Sequence, residues 1–257
     1  MRQVPGTPRV FENLKDWFQH RHERRGSLGF VPTMGALHEG HLELVRRARA
    51  ENAETIVSIF VNPTQFDDPN DLNKYPRTFE RDLELLRGEG VDYVLYPKAS
   101  EMYADQYRFK ITENQLSREL CGAHRPGHFD GVLTVVMKLL QIAGADRAYF
   151  GEKDFQQYTL VKDMAAAFFL RTQIVGCPTV REEDGLAMSS RNTRLSEGQR
   201  QKAAAFPRIL SEARGVDEAR AQLRAEGFEV DYVEQMMGRR FGAVRLGEVR
   251  LIDNIEI

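Results

Sequence analysis

The chain has 257 residues, with Lys+Arg 36 against Asp+Glu 38 and a net charge of -2, so no global basic field draws it to nucleic acid. A hydrophobic fraction of 42% beside a charged fraction of 29% fits a soluble globular protein of one large or two modest domains. No apolar run reaches membrane-spanning length, the start MRQVPGTPRV lacks the apolar core of a signal peptide, and Cys121 and Cys177 are too few for a disulfide framework. A reduced, cytoplasmic setting is expected.

Phe11–Arg25 reads as an amphipathic helix with Leu14, Trp17 and Phe18 on one side. Leu28–Val31 is the first predicted strand. The chain then turns through Pro32, Thr33, Met34 and Gly35 into a helical pattern that turns Leu42, Leu44 and Val45 to a core. Thr55–Val61, TIVSIFV, has the apolar, β-branched character of a strand covered on both faces. Asn62-Pro63-Thr64-Gln65-Phe66 follows, and an acidic loop runs to Pro76. A helix is expected over Phe79–Glu89, a strand over Asp92–Tyr96 and a further strand over Arg108–Thr112. Cys121–His128 reads as loop and Gly131–Ala143 as a core helix. Asp146–Phe150 and Thr172–Cys177 are predicted strands flanking a helix over Phe155–Phe169.

Alternating strands and helices predict an α/β fold, a Rossmann-like doubly wound parallel sheet. The character changes at Cys177–Pro178, which places a large domain at 1–177 and a smaller α+β lid at 178–257. In the lid, Ser196 and Gln199 make a capping box for a helix to about Ala213. A helix at Asp217–Glu226 and strands at Glu229–Val233 and Val249–Ile252 complete it.

In such sheets ligands bind beyond the carboxyl ends of the strands. Thr33, His38 and His41 lie after the first strand, and Asn62 and Gln65 after the second. If His38 opens the helix, both imidazoles share its first turn, where free N–H groups already favour an anion. HEGH is not the zinc motif HExxH, because its second histidine comes one residue early. Neither GxxxxGK[ST] nor GxGxxG occurs, so a nucleotide pocket has to be of another type. Lys153 after a strand and Ser189-Ser190-Arg191 in a polar loop suit phosphate oxygens. With the histidines they fit a triphosphate whose α-phosphate is attacked by a carboxylate, with Mg²⁺ bridging the phosphates.

PTMGALHEGH at Pro32–His41, FVNPTQF at Phe60–Phe66, YPRT at Tyr75–Thr78, GEKDFQQ at Gly151–Gln157 and GLAMSSRN at Gly185–Asn192 occur in this order. Together with LIDNI at Leu251–Ile255 they resemble the pantoate–β-alanine ligase family of the HxGH-type nucleotidyltransferases. The resemblance implies that ATP and pantoate form a pantoyl-adenylate plus pyrophosphate, and that the β-alanine amine then releases pantothenate and AMP. It implies an ATP site of Met34, Gly35, Ala36, Leu37, His38, Glu39, Gly40 and His41, with His41 as proton donor and His38 on the phosphates. Gly151, Glu152, Lys153 and Asp154 are implied to bind ATP as well, Lys153 on the phosphates. Val180, Met188, Ser189, Ser190 and Arg191 would complete the nucleotide side. Gln65 would contact pantoate and β-alanine, Gln157 would bind pantoate, and Asp82 would lie near the Mg²⁺. Arg125 and His128 are expected in a mobile wall, and a homodimer through the larger domain is implied. Gln235–Glu248, QMMGRRFGAVRLGE, reads as shorter than the family's usual connection and predicts a reduced lid. Two rivals remain at this point: an adenylyltransferase with another acceptor, and a non-catalytic nucleotide-binding relative.

Overall fold

The structure, a computed structural model, describes residues 6–66 and 69–257. The readings of Met1–Pro5 and Asp67–Asp68 lie outside the described residues. Strand β1 (Arg9–Phe11) precedes helix α1 (Leu14–Glu23), then β2 (Leu28–Thr33), α2 (Glu39–Glu51) and β3 (Glu54–Ile59). Helices α3 (Pro69–Lys74) and α4 (Phe79–Gly88) lead to β4 (Tyr93–Leu95). Short helices α5 (Ala99–Met102) and α6 (Cys121–His124) precede the long α7 (His128–Ala143). Strand β5 (Arg147–Gly151), helix α8 (Phe155–Ala167) and β6 (Gln173–Cys177) follow.

Among the described residues these six strands form one parallel sheet in the order β1-β4-β3-β2-β5-β6. Successive buried side chains explain why it is covered on both faces. Phe30 and Ile56 join the core that includes Leu133 and Leu139 of α7, whereas Val31 and Val57 join the core that includes Val45 of α2 and Leu86 of α4. Chain order reverses between β2 and β5, the place where such sheets open a crevice at their carboxyl ends.

The remaining chain adds α9 (Glu197–Ala203), α10 (Ala205–Glu212), α11 (Val216–Ala225) and the antiparallel sheet β7 (Glu229–Met236), β8 (Arg239–Leu246) and β9 (Val249–Glu256). Phe206, Leu210 and Leu223 cover one side of this sheet, while Tyr232, Phe241 and Ala243 join the core of the parallel sheet. No described helix is long and apolar enough to cross a membrane.

Several local expectations are corrected. Arg108–Thr112 is not a strand: Ile111 N donates to Thr134 Oγ1 at 2.9 Å and Lys110 pairs with Asp130, so the segment is bound to α7. The free edge of β4 is taken by β1, three residues too short to show a period. The loop before Pro76 contains α3, and the segment read as loop at Cys121–His128 contains α6. The Ser196 capping box forms (Ser196 N to Gln199 Oε1, 2.9 Å), but the helix breaks at Ala204. Pro207 has no N–H for the carbonyl of Ala203. Gln235–Glu248 is not an irregular connection. It supplies β8, joined by two-residue turns at Met237–Gly238 and Gly247–Glu248.

Candidate active site

The loop after β2 is built from buried polar contacts. Thr33 Oγ1 donates to Ser58 O of β3 at 2.7 Å and accepts from Gly35 N at 3.2 Å. Gly35 has φ +80°, where a Cβ would stand 3.0 Å from Asp82 Oδ2. Asp82, on α4 and 1% exposed, accepts from Ala36 N at 2.9 Å and Leu37 N at 2.8 Å. Thr78 Oγ1 adds a third donor at 3.1 Å. Asp82, expected near the Mg²⁺, thus has its carboxylate on the Ala36 and Leu37 N–H groups and on Thr78 Oγ1 beneath the loop, and it is not among the residues that line the cleft.

This loop delivers His38 as the N-cap of α2 and His41 one turn in, with ring centroids 4.1 Å apart. His38 packs over Gly40, where a Cβ would meet the imidazole at 3.0 Å. The His38 backbone N–H donates to His41 Nδ1 at 3.4 Å. An accepting Nδ1 on a neutral ring puts the proton on Nε2. Burial first, then the charge of Lys153, holds His38 at about 4. Burial, the neighbouring His38 and Lys153 push His41 down to about 3. Both rings are neutral at pH 7, and the dominant cause is desolvation more than the helix terminus. Nδ1 of His38 is buried without a hydrogen-bond partner among the described residues.

Strand β3 leads into a short turn, Pro63–Gln65, capped by Asn62. Asn62 is buried; its Nδ2 donates to Gln65 Oε1 at 3.0 Å, and its Oδ1 accepts from Tyr103 Oη at 2.5 Å. Gln65 Nε2 lies 3.2 Å from Met34 Sδ, and the Gln65 carbonyl accepts from Arg125 at 3.3 Å and sits 2.8 Å from His128 Nδ1. Arg125 and His128 thus stand against this turn. Tyr103 had no sequence signal, being more than forty positions from the residue it orients.

On the other side of β2, β5 ends at Gly151 and the turn Glu152–Asp154 carries Lys153, whose side chain is 17% exposed. The two following glutamines diverge. Gln156 is buried and spends its amide on Cys121 N and the Leu116 and Glu119 carbonyls, whereas Gln157 lines the cleft. Beyond β6, Met188 N donates to Val180 O at 3.0 Å. Ser189 then caps the turn Ser190–Arg194 by accepting from Arg191 N at 3.2 Å.

All these elements meet in one cleft of about 740 Å³ at the β2/β5 reversal. Met34, His38, Gly40, His41, Gln65, Gly151, Lys153, Asp154, Gln157, Val180 and Met188, Ser189, Ser190, Arg191 line it. Gly35, Ala36, Leu37, Glu39 and Glu152 do not. Leu37 is buried in the core, Glu39 is exposed and pairs with Arg46, and Glu152 pairs with Arg239. Neutral imidazoles, a lysine, an arginine and two glutamine amides that line one cleft can together hold a polyphosphate beside a small acid.

The model of the family "Pantoate-beta-alanine ligase" matches residues 7–256. The chain is 53% identical to a pantothenate synthetase of Bdellovibrio bacteriovorus over the full length of both. It is 51% identical to one of Coxiella burnetii over 96% of each. Among solved structures it resembles a pantoate-beta-alanine ligase of Francisella tularensis complexed with beta-gamma ATP and beta-alanine. That match has a TM-score of 0.93 and 39% identity, and covers 97% of each chain.

Proposed function

The chain belongs to the pantoate–beta-alanine ligase family, and from that membership we propose how it joins pantoate to beta-alanine with ATP, giving pantothenate, AMP and pyrophosphate. A pantoate carboxylate oxygen attacks the α-phosphorus, and the bond to the pyrophosphate oxygen breaks. The beta-alanine amine then attacks the acyl carbon of the pantoyl-adenylate, the bond from that carbon to the bridging anhydride oxygen breaks, AMP departs with the oxygen, and the amine loses a proton.

In this reading His41 donates its Nε2 proton in a hydrogen bond to phosphate as a neutral ring. The support is its Nδ1 contact and a burial that holds it at about 3. His38 shares that edge. Lys153 and Arg191 meet the charge that develops on the phosphates, and Ser189, whose oxygen accepts from Arg191 N, keeps its own hydrogen to donate. Gln65 and Gln157 hold pantoate. Gln65, an uncharged amide, also suits the zwitterion that follows. Residues 1–177 carry the substrates, and 178–257 act as the lid that shields the adenylate from water.

Among the described residues no group of three His, Cys, Asp or Glu side chains could hold a metal alone. Mg²⁺ would be carried in on the triphosphate, where Asp154, which lines the cleft beside Lys153, would be the protein carboxylate that holds it, and the ion would supply positive charge against the phosphates. A homodimer through the larger domain and a cytoplasmic setting belong to the same proposal.

The observation that carries the reading is the pair of half-buried neutral imidazoles sharing one cleft with Lys153 and Arg191. ATP–pyrophosphate exchange that depends on pantoate, and AMP release that needs both pantoate and beta-alanine, is the expected result. Exchange without pantoate would indicate a different acceptor, and nucleotide binding without turnover would indicate a non-catalytic relative.

A further inference from the structure

LIDNI at Leu251–Ile255 has no role in the scheme above, yet its strand reaches the cleft from the far end of the chain. Asn254, on β9 and 3% exposed, donates through Nδ2 to the carbonyls of Glu152 at 2.9 Å and Lys153 at 3.0 Å. Its Oδ1 accepts from Arg239 Nη1 at 2.9 Å. An arginine on the oxygen fixes which way the amide faces, so both Nδ2 hydrogens must face the turn. Arg239 Nη2 also reaches Glu152 Oε2 at 3.2 Å. The neighbour, Asp253, takes both ends of Arg181 at 2.7 and 2.9 Å, and Arg181 in turn donates to Gly185 O. One strand therefore grips the turn that bears Lys153 and the hairpin that leads into Ser189–Arg191.

We propose that Asn254 is a positioning residue that acts through Lys153: it fixes the backbone of the Glu152–Asp154 turn so that the ammonium meets the reacting phosphates. The inference rests on the role given to Lys153 above. The turn is a single 3₁₀ turn leading into α8, and Asn254 adds a side-chain donor from outside to two successive carbonyls of it. A cation displaced by about an ångström loses much of its effect on a transition state.

The test is a double-mutant cycle on pantoate-dependent ATP–pyrophosphate exchange, with thermal melts on every variant. Asn254→Asp keeps the size and the Arg239 contact but sets a carboxylate oxygen against two carbonyls. Asn254→Ala removes the donors without the repulsion. With Lys153 present, Asn254→Asp is expected to lower kcat at least tenfold and Asn254→Ala by less. In a Lys153→Ala background both effects are expected to shrink below twofold, because the group through which they act is gone. Losses that multiply in the Lys153→Ala background would mark general structural damage and overturn the proposal. So would unfolding of both Asn254 variants. Near-normal exchange in Lys153→Ala itself would instead overturn the role of Lys153, and this inference with it.

Discussion

The two walls of the cleft are made by opposite means. The imidazole wall is local: β2, its loop and the first turn of α2 form one stretch, pinned from beneath by Asp82 and Thr33. The cationic wall is assembled from remote pieces, two short turns after β5 and β6: β9 holds the backbone of the first through Asn254 and reaches the hairpin before the second through the Asp253–Arg181 pair. Donors on the first wall are neutral, so they can be buried without leaving a charge unsolvated. On the second wall the cations need water nearby, and Lys153 keeps 17% of its side chain exposed. Half-buried neutral donors preorganise a phosphate site, while cations, set in part from the second sheet, complete it.

The sharpest way to break this contrast is to remove one donor from each wall. Lys153→Ala and His41→Ala are each expected to slow pantoate-dependent exchange at least about a hundredfold, the effect of losing one preorganised donor. Near-normal rates in either variant would remove that wall from the chemistry.

Asp82→Ala strips the partner from two backbone N–H groups in the imidazole wall. Unsatisfied donors cost about 1–3 kcal/mol each. The expected outcome is a marked fall in melting temperature with the Mg²⁺ dependence of exchange unchanged, and a raised Mg²⁺ requirement would restore a metal role. Gln157→Ala leaves both walls intact and is expected to raise the pantoate KM about tenfold with little change for ATP, a loss of about 1.4 kcal/mol in binding.

The smallest effect is on pH dependence. His38 and His41 sit at about 4 and about 3, below their ordinary value of 6.5. Between those limits the unfolded chain binds more protons than the folded one, so stability rises with pH. It is complete above pH 6.5 and is lost as pH falls toward the folded values. Urea unfolding should report a lower stability at pH 5 than at pH 7 through these rings, and His41→Asn should reduce the difference. The exchange rate itself should show no inflection near pH 6.5. An inflection there that His41→Asn abolishes would mean the ring titrates as if in water.

Wherever a pattern was carried by neighbours in the chain, it was legible. TIVSIFV announced a strand buried on both faces, and β3, Glu54–Ile59, takes in its first five residues, Thr55–Ile59. The spacing of His38 and His41 put both rings on one turn, and they stand 4.1 Å apart. β8 was hidden because Arg240 and Gly242 interrupt its alternation. Arg240 is buried all the same, its guanidinium donating to the Leu210 and Ala213 carbonyls at 2.7 and 2.6 Å, an arrangement that only α10 overhead explains.

By itself, then, the sequence determined the parallel sheet, the crevice at its carboxyl edge and the chemistry of the groups set around it, because periodicity and short motifs act within a few residues. Tertiary structure alone decided that Asp82 serves the loop backbone, that burial keeps the imidazoles neutral, and that Asn254 reaches the turn of Lys153 from a hundred positions away. A hydrogen-bond partner or a dielectric environment is a property of what lies close in space, and no local pattern encodes it.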